Sequence, residues 1–199
     1  ATQHQRIVFN GNGYAPEWEK EARRRGLPVL PSMVDAIPAL TTDKAVELFG
    51  EFGVFTKTEL ESRAEIQYEI YAKAINIEAK TMVDMATKQI IPAVIKYTTV
   101  LAESINQVKA VGPIDVSVQM DLLKKASKLL KEVNSTMNKL SKLVDQIETH
   151  PEGRDRAVFC REKLVPAMEK LREPVDELEM LVDKDMWPMP SYGDLVFEP

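Results

Sequence analysis

One cysteine and two histidines are all the thiol and imidazole chemistry in this chain of 199 residues. A lone Cys160 excludes an intrachain disulfide and fits a reducing compartment. With only His4 and His150, a helical di-iron centre built from two Glu-x-x-His pairs is excluded. A zinc site would have to gather three or four ligands from one Cys, two His and carboxylates, and no spacing does so. Long apolar runs are absent too. The most apolar stretch, Ile90 to Ile95, is broken by Pro92 and is far short of the roughly 20 residues of a membrane span. The polar start, Ala1 to Arg6, does not read as a secretory signal, and the opening residue is not Met, a point in favour of a segment cut from a longer polypeptide. Excess positive charge is missing: a net charge of −5 and a pI near 5.3 argue against nucleic acid and against an acidic membrane surface as partners. Arg23, Arg24 and Arg25 are the one tight basic run. They precede Gly26 and read as a solvated helix C-terminus complementing the helix dipole.

Other absences are conformational. No glycine occurs between Gly53 and Gly112, or between Gly112 and Gly153. Two long stretches are thus free of the residue that most readily ends a helix. Gly11-Asn12-Gly13 before a helix resembles a phosphate loop, but Pro16 stands where the third glycine belongs and no Gly-Lys-Ser/Thr follows, so it reads as a structural turn.

What is present is helical periodicity in a globular composition, 44% hydrophobic and 29% charged. Residues 1–56 are irregular. Arg6 to Phe9 reads as a short strand, Pro16 opens a helix that Gly26 stops, residues 27–40 with three prolines read as an extended crawl, and Thr42 caps a second short helix ended by Gly53. Thr56 and Glu59 have capping-box spacing. From there apolar residues recur at helical intervals from Leu60 to Val108, with a bend expected at Lys88 to Ile91 ahead of Pro92. Gly112-Pro113 stops this segment, and Asp115 or Ser117 caps the next. Leu122, Ala126, Leu129, Val133, Met137, Leu140, Val144 and Ile147 form its coiled-coil-like seam. After a turn at 149–153, a third helix faces Val158, Leu164, Met168, Leu171, Val175, Leu178 and Val182 inward, kinked or shortened at Pro166 and Pro174. The expected fold is all-α: an elongated antiparallel three-helix bundle of long, kinked helices over 57–185, preceded by short helices and followed by a Pro-rich docking tail over 186–199, one structural domain in all. Ile7–Phe9 and Leu195–Phe197, the only β-like runs, are expected to pair as a tiny two-stranded ribbon.

No residue reads as catalytic, metal-binding or cofactor-binding. His150 reads as an exposed loop histidine and Cys160 as a partly buried apolar residue. The acidic start of the long helix mixes Glu59, Glu61, Glu65 and Glu69 with Arg63 and Lys73, which reads as a solvated face. The tail supplies the candidate docking residues Trp187, Met189 and Tyr192. Trp187 in particular suits an anchor, either on this chain's own helices or on a neighbour.

Longer strings carry a resemblance. Arg6-Ile-Val-Phe-Asn-Gly-Asn-Gly-Tyr14, Arg25-Gly-Leu27, Val34-Asp-Ala-Ile-Pro38, Val54-Phe-Thr56, Glu61-Ser-Arg63, Ile75-Asn-Ile-Glu-Ala79, Met82-Val-Asp-Met85, Ile90-Ile-Pro-Ala-Val94, Arg172-Glu-Pro-Val175 and Trp187-Pro-Met-Pro-Ser-Tyr-Gly-Asp194 occur in order along the chain. Together they resemble the C-terminal helical region of type III glutamine synthetase. The resemblance implies a cytoplasmic, ring-forming parent enzyme, a glutamate–ammonia ligase using ATP and a divalent metal (Mg or Mn). It also implies that the metal-binding glutamates, nucleotide contacts and catalytic arginine lie upstream. No position here matches them, so the fragment itself is expected to be inactive. Its expected partners are the upstream catalytic region and other subunits of the homo-oligomeric ring. Two other classes remain open at this stage: an independent helical interaction or sensor module, which would show a large exposed apolar face, and a small helical enzyme, which would need a buried polar cluster.

Overall fold

Helix starts follow the capping chemistry read from the sequence. In the computed structural model, which describes residues 8–197, Pro16 occupies the first position of α1 (Pro16–Arg24), and Gly26 beyond its end takes φ +69°, a conformation L side chains avoid. Thr42 accepts from the backbone of Ala45 and caps α3 (Asp43–Glu51). At the start of α4 (Lys57–Met85) the reciprocal box is complete: the Glu59 carboxylate accepts from the Thr56 amide at 2.7 Å, and the Thr56 hydroxyl accepts from the Glu59 amide at 3.3 Å. These bonds hold the Glu59 carboxyl below its ordinary range, chiefly through the Thr56 backbone N–H.

The regular structure among the described residues is all helical, joined by turns and irregular segments, with no strand among them. Two expectations for irregular regions are corrected. Residues 27–40 are not an extended crawl: the Ser32 hydroxyl caps α2 (Met33–Ala36), and a 3₁₀ turn continues over Ile37–Thr41, with Pro38 in its first turn where no N–H is needed. Leu195–Phe197 is not a strand either. It lies in α9 (Tyr192–Phe197), because Ser191 and Asp194 form a cap of their own, Ser191 N–H donating to the carboxylate at 2.7 Å and its hydroxyl accepting from the Asp194 amide at 3.3 Å. The proposed partner Ile7 lies outside the described residues, and the neighbouring Phe9 stacks on Trp18 with ring centroids 4.6 Å apart.

The chain divides into two compact units, Ala1–Ala64 and Glu65–Pro199. In the first, the Arg run is less solvated than expected. Arg25 is largely buried, lies over the Phe9 and Trp18 rings, and donates to the Val8 carbonyl and to Glu21, both at 2.6 Å. Arg24 reaches the same carboxylate. Arg24 first and Arg25 second pull the Glu21 carboxyl down to about 2. The Gly11–Gly13 turn closes on itself, with Asn12 accepting from the Tyr14 amide.

In the second unit, α6 (Ser117–Gln146) packs against α5 (Ile91–Val111) and against α8 (Val165–Glu179). Six of the eight seam residues, Ala126, Leu129, Val133, Met137, Leu140 and Ile147, are within the core, while Leu122 and Val144 toward the two ends are half-buried. No side chain caps α6 directly. Asp115 instead accepts from the Ser117 amide at 2.8 Å just before it. At two of the three prolines expected to bend or shorten a helix, the same local device stands. A π-helical turn, Ala86–Ile90, precedes Pro92, and another, Cys160–Leu164, precedes Pro166. In each, the residue before the proline donates to a carbonyl five residues back, Ile91 to Ala86 and Val165 to Cys160. The widened turn makes room for a ring that would otherwise strike the carbonyl four residues earlier. Pro174 lies inside α8, which runs on to Glu179.

The turn into α7 (Arg154–Phe159) is tightly specified. Gly153 takes φ +82°, and Arg156 donates twice to the His150 carbonyl, at 2.9 and 3.2 Å. His150 is not a free loop side chain: it is half-buried and stacks on Phe159 at 4.0 Å between centroids. A methyl group at 153 would meet the Glu65 carboxylate as well as the left-handed backbone. Gly153→Ala is therefore expected to destabilise by about 1–2 kcal/mol from backbone strain alone, read as a lowered urea midpoint. An unchanged midpoint would contradict the conformation described.

Candidate functional site

Of the three tail residues singled out, the structure brings two together. After α8, Asp183 organises a turn in which its carbonyl accepts from the amides of Met186 and Trp187, both at 3.0 Å. The Pro188 and Pro190 steps then hold the chain extended, and Trp187 and Met189 become part of a groove of about 440 Å³. One wall is α4 and the π turn, through Met82, Met85, Ala86 and Ile90. The opposite wall is α8, through Leu171 and Val175, with Arg172, Asp176 and Glu179 at the rim. Arg172 and Asp176 pair with one another at 3.3 Å. Trp187 is thus seated against its own chain. Its indole N–H is buried without a hydrogen-bond partner among the described residues. Tyr192 stands apart, 87% exposed on α9 and outside the groove.

The groove walls were legible one helix at a time. Met82, Leu171 and Val175 belong to the apolar stripes, yet nothing local shows that α4 and α8 leave a gap at that level, because that depends on contacts far apart in sequence. Three flexible thioethers, an indole and branched aliphatics make this an apolar, adaptable surface, with its charged groups confined to the rim.

A second, smaller cleft of about 250 Å³ lies between α4 and the 147–156 turn. Asn76, Lys73, Glu69, Glu148, Glu152 and Arg156 border it. Its charges are internally matched: Lys73 donates to Glu69 at 3.0 Å, and Arg156 lies 3.5 Å from both Glu148 and Glu152. The Asn76 carbonyl is buried and unpartnered among the described residues. No three His, Cys, Asp or Glu side chains among the described residues converge as a metal site. Cys160 is fully buried, and its thiol lies against the Ala72 carbonyl at 4.0 Å. Burial pushes its pKa up, partly offset by Arg156, so the thiolate needed for nucleophilic chemistry is disfavoured.

The tail carries an electrostatic clasp comparable to that of Glu21. Asp194 is held at about 2 by its bond to Lys184 first, at 2.9 Å, and then by the Ser191 amide and hydroxyl. A depressed carboxylate contributes stability above the ordinary carboxylate range and loses it as pH falls through about 2. The expected result is a carboxyl-carbon NMR titration of Asp194 with its midpoint near 2, moving upward in Lys184→Met. A wild-type midpoint in the ordinary Asp range would remove the tail clasp.

No helix among the described residues is long and apolar enough to cross a membrane. Residues 1–109 match a family model described as the glutamine synthetase C-terminal domain. A glutamine synthetase of Butyrivibrio fibrisolvens is 34% identical over 195 residues, covering 98% of this chain and 28% of the relative. A type-3 glutamine synthetase of Dictyostelium discoideum is 33% identical over 200 residues, again 98% of this chain and 27% of the relative. A glutamine synthetase of Bacteroides fragilis (strain YCH46) is 31% identical over 199 residues, 96% of this chain and 27% of the relative. The chain therefore spans little more than a quarter of the length of the relatives it matches.

Proposed function

Because the chain belongs to the family of glutamine synthetase C-terminal domains, we propose that it is the support and assembly region of a type III glutamine synthetase subunit, non-catalytic in itself. The observation that carries this reading is the near-complete coverage of this chain by relatives more than three times its length. In this reading the longer polypeptide makes glutamine from glutamate, ammonia and ATP in the cytoplasm, with Mg or Mn as the divalent metal, as a homo-oligomeric ring.

The residues described here do not fit the implied ATP and metal. The cleft beside the 147–156 turn has its cations and carboxylates already matched to each other, the groove beside Trp187 is lined mainly by Met, Trp and aliphatic side chains, and no three His, Cys, Asp or Glu side chains among the described residues converge as a metal site. No step of the ligase reaction is assigned to this chain. What supports a mechanical role is α6 packed against both α5 and α8 along an apolar seam, a framework able to hold neighbouring parts of the enzyme in place.

The test is the full-length subunit truncated immediately before Ala1. Loss of ring assembly on sizing, together with loss of glutamine formation, is the expected outcome. Wild-type oligomer mass and wild-type activity in the truncation would refute the bracing role.

A further inference from the structure

Helix α4 has two apolar faces, and only one of them is used inside the chain. Tyr68, Ala72 and Ala79 are buried at 5%, 4% and 0% exposure. Ile66, Ile70 and Ile77 are 51%, 53% and 65% exposed. At about 100° per residue the three isoleucines fall within about 40° of one another, on the side of the helix roughly opposite the buried stripe. Single exposed apolar residues need no explanation, but three β-branched ones in line on a solvated helix do. Isoleucine is a poorer helix former than the Lys, Glu or Ala that would serve at an exposed position, because its χ1 freedom is lost against the preceding turn. These positions therefore contribute nothing to the chain that a soluble residue would not contribute better.

Two of the cations along this side of the helix are already paired. Lys73, next to it on the helix surface, pairs with Glu69 at 3.0 Å, and beyond its end Lys88 pairs with Asp84. A dry apolar centre bordered by self-matched ion pairs is the anatomy of a protein interface and not of an ion or nucleotide site. The occupant is indicated by chain length. In the relatives this region is 27–28% of a longer polypeptide, so in them it is tethered to a large partner. Tethering supplies an effective concentration on the order of mM, at which even a three-residue apolar stripe is enough to hold a docked surface.

We propose that the Ile66–Ile70–Ile77 face of α4 is the docking surface by which this region seats on the preceding, catalytic part of its own subunit. This inference rests on the support role proposed above and names the surface that performs it. The test is photo-crosslinking in the assembled full-length enzyme carrying Ile70→p-benzoyl-phenylalanine. The expected product links position 70 to a peptide that precedes Ala1 in the same polypeptide, and this link is lost when Ile66→Lys and Ile77→Lys are added. Both lysine changes fall on exposed positions, so the helix itself should survive them, which far-ultraviolet circular dichroism checks. A link to residues 57–85 of a second copy, to other parts of this region, or to an unrelated protein would overturn the proposal, as would no link above that of the enzyme without the probe. If the truncated subunit fails to assemble while position 70 makes no such link, the bracing role stands and this face is excluded from it.

Discussion

Leu140→Ala is expected to destabilise the second unit by about 2–5 kcal/mol, the cost of removing a buried branched side chain and leaving the space unfilled. Leu140 is completely buried on α6, the helix packed against both α5 and α8, so no single neighbour can move in to close the gap without leaving the other. Val133, also completely buried, and Met137 lie on the same seam, and the Thr87 hydroxyl contacts the Met137 sulfur at 3.7 Å, which ties the π turn before α5 to the middle of α6. For a chain of this size, about 2–4 °C of melting temperature accompanies each kcal/mol. Chemical unfolding monitored at 222 nm would read the change directly. A Leu140→Ala midpoint within error of the parent would mean that α6 is not wedged between its neighbours.

The opposite error, too much volume, should be nearly as damaging at Ala79. This residue is completely buried on α4, and Ala72, Ala79, Ala86 and Ala93 recur at seven-residue intervals with exposures of 4%, 0%, 1% and 7%. Small side chains there let partner groups come close, as the Cys160 thiol does to the Ala72 carbonyl. Ala79→Leu adds three carbons where close packing leaves no room, and the expected loss is about 1–3 kcal/mol with side chains forced from their preferred rotamers. Ala79→Ser adds a single oxygen and should perturb packing far less. Equal midpoints for the leucine and parent proteins would show that this face is not closely packed.

How much of this was legible depended on whether the information was local. The Thr56–Glu59 box, the Thr42 cap and the Gly26 stop are written within four or five residues, and each forms as read. The seam from Ala126 to Ile147 was legible because three- and four-residue steps run through it with a single slip. Leu195–Phe197 misled because three apolar β-formers outweighed, on paper, the Ser191–Asp194 cap just before them. That cap is the motif Thr56 and Glu59 also form, at the same three-residue spacing. Ser32 caps its helix from within a run of prolines whose local signal is extended chain. Arg25 looked solvated because its partners, Phe9 and the Val8 carbonyl, lie more than a dozen residues away. The candidate tail residues were legible by type. Only the fold could show that Trp187 and Met189 face the same groove while Tyr192 does not.

The two π turns carry a consequence for how such sequences can change length. Each holds one residue more than an ordinary helical turn would, and Pro92 and Pro166 stand two residues beyond them. Deleting one exposed residue inside the first, Lys88 for example, would restore ordinary winding and leave the segments on either side facing as they do now, because the wide turn takes up its extra residue without extra rotation. Val94, Tyr97, Leu101 and Ile105 would stay in the core. The cost would fall on Pro92, whose ring would then meet the carbonyl four residues earlier. Single-residue gaps at 86–90 and 160–164 should therefore accompany loss of the proline, while the connection at 112–116 can absorb them freely. The helices carry one residue beyond their ideal period, and the wide turn keeps the core in frame around it.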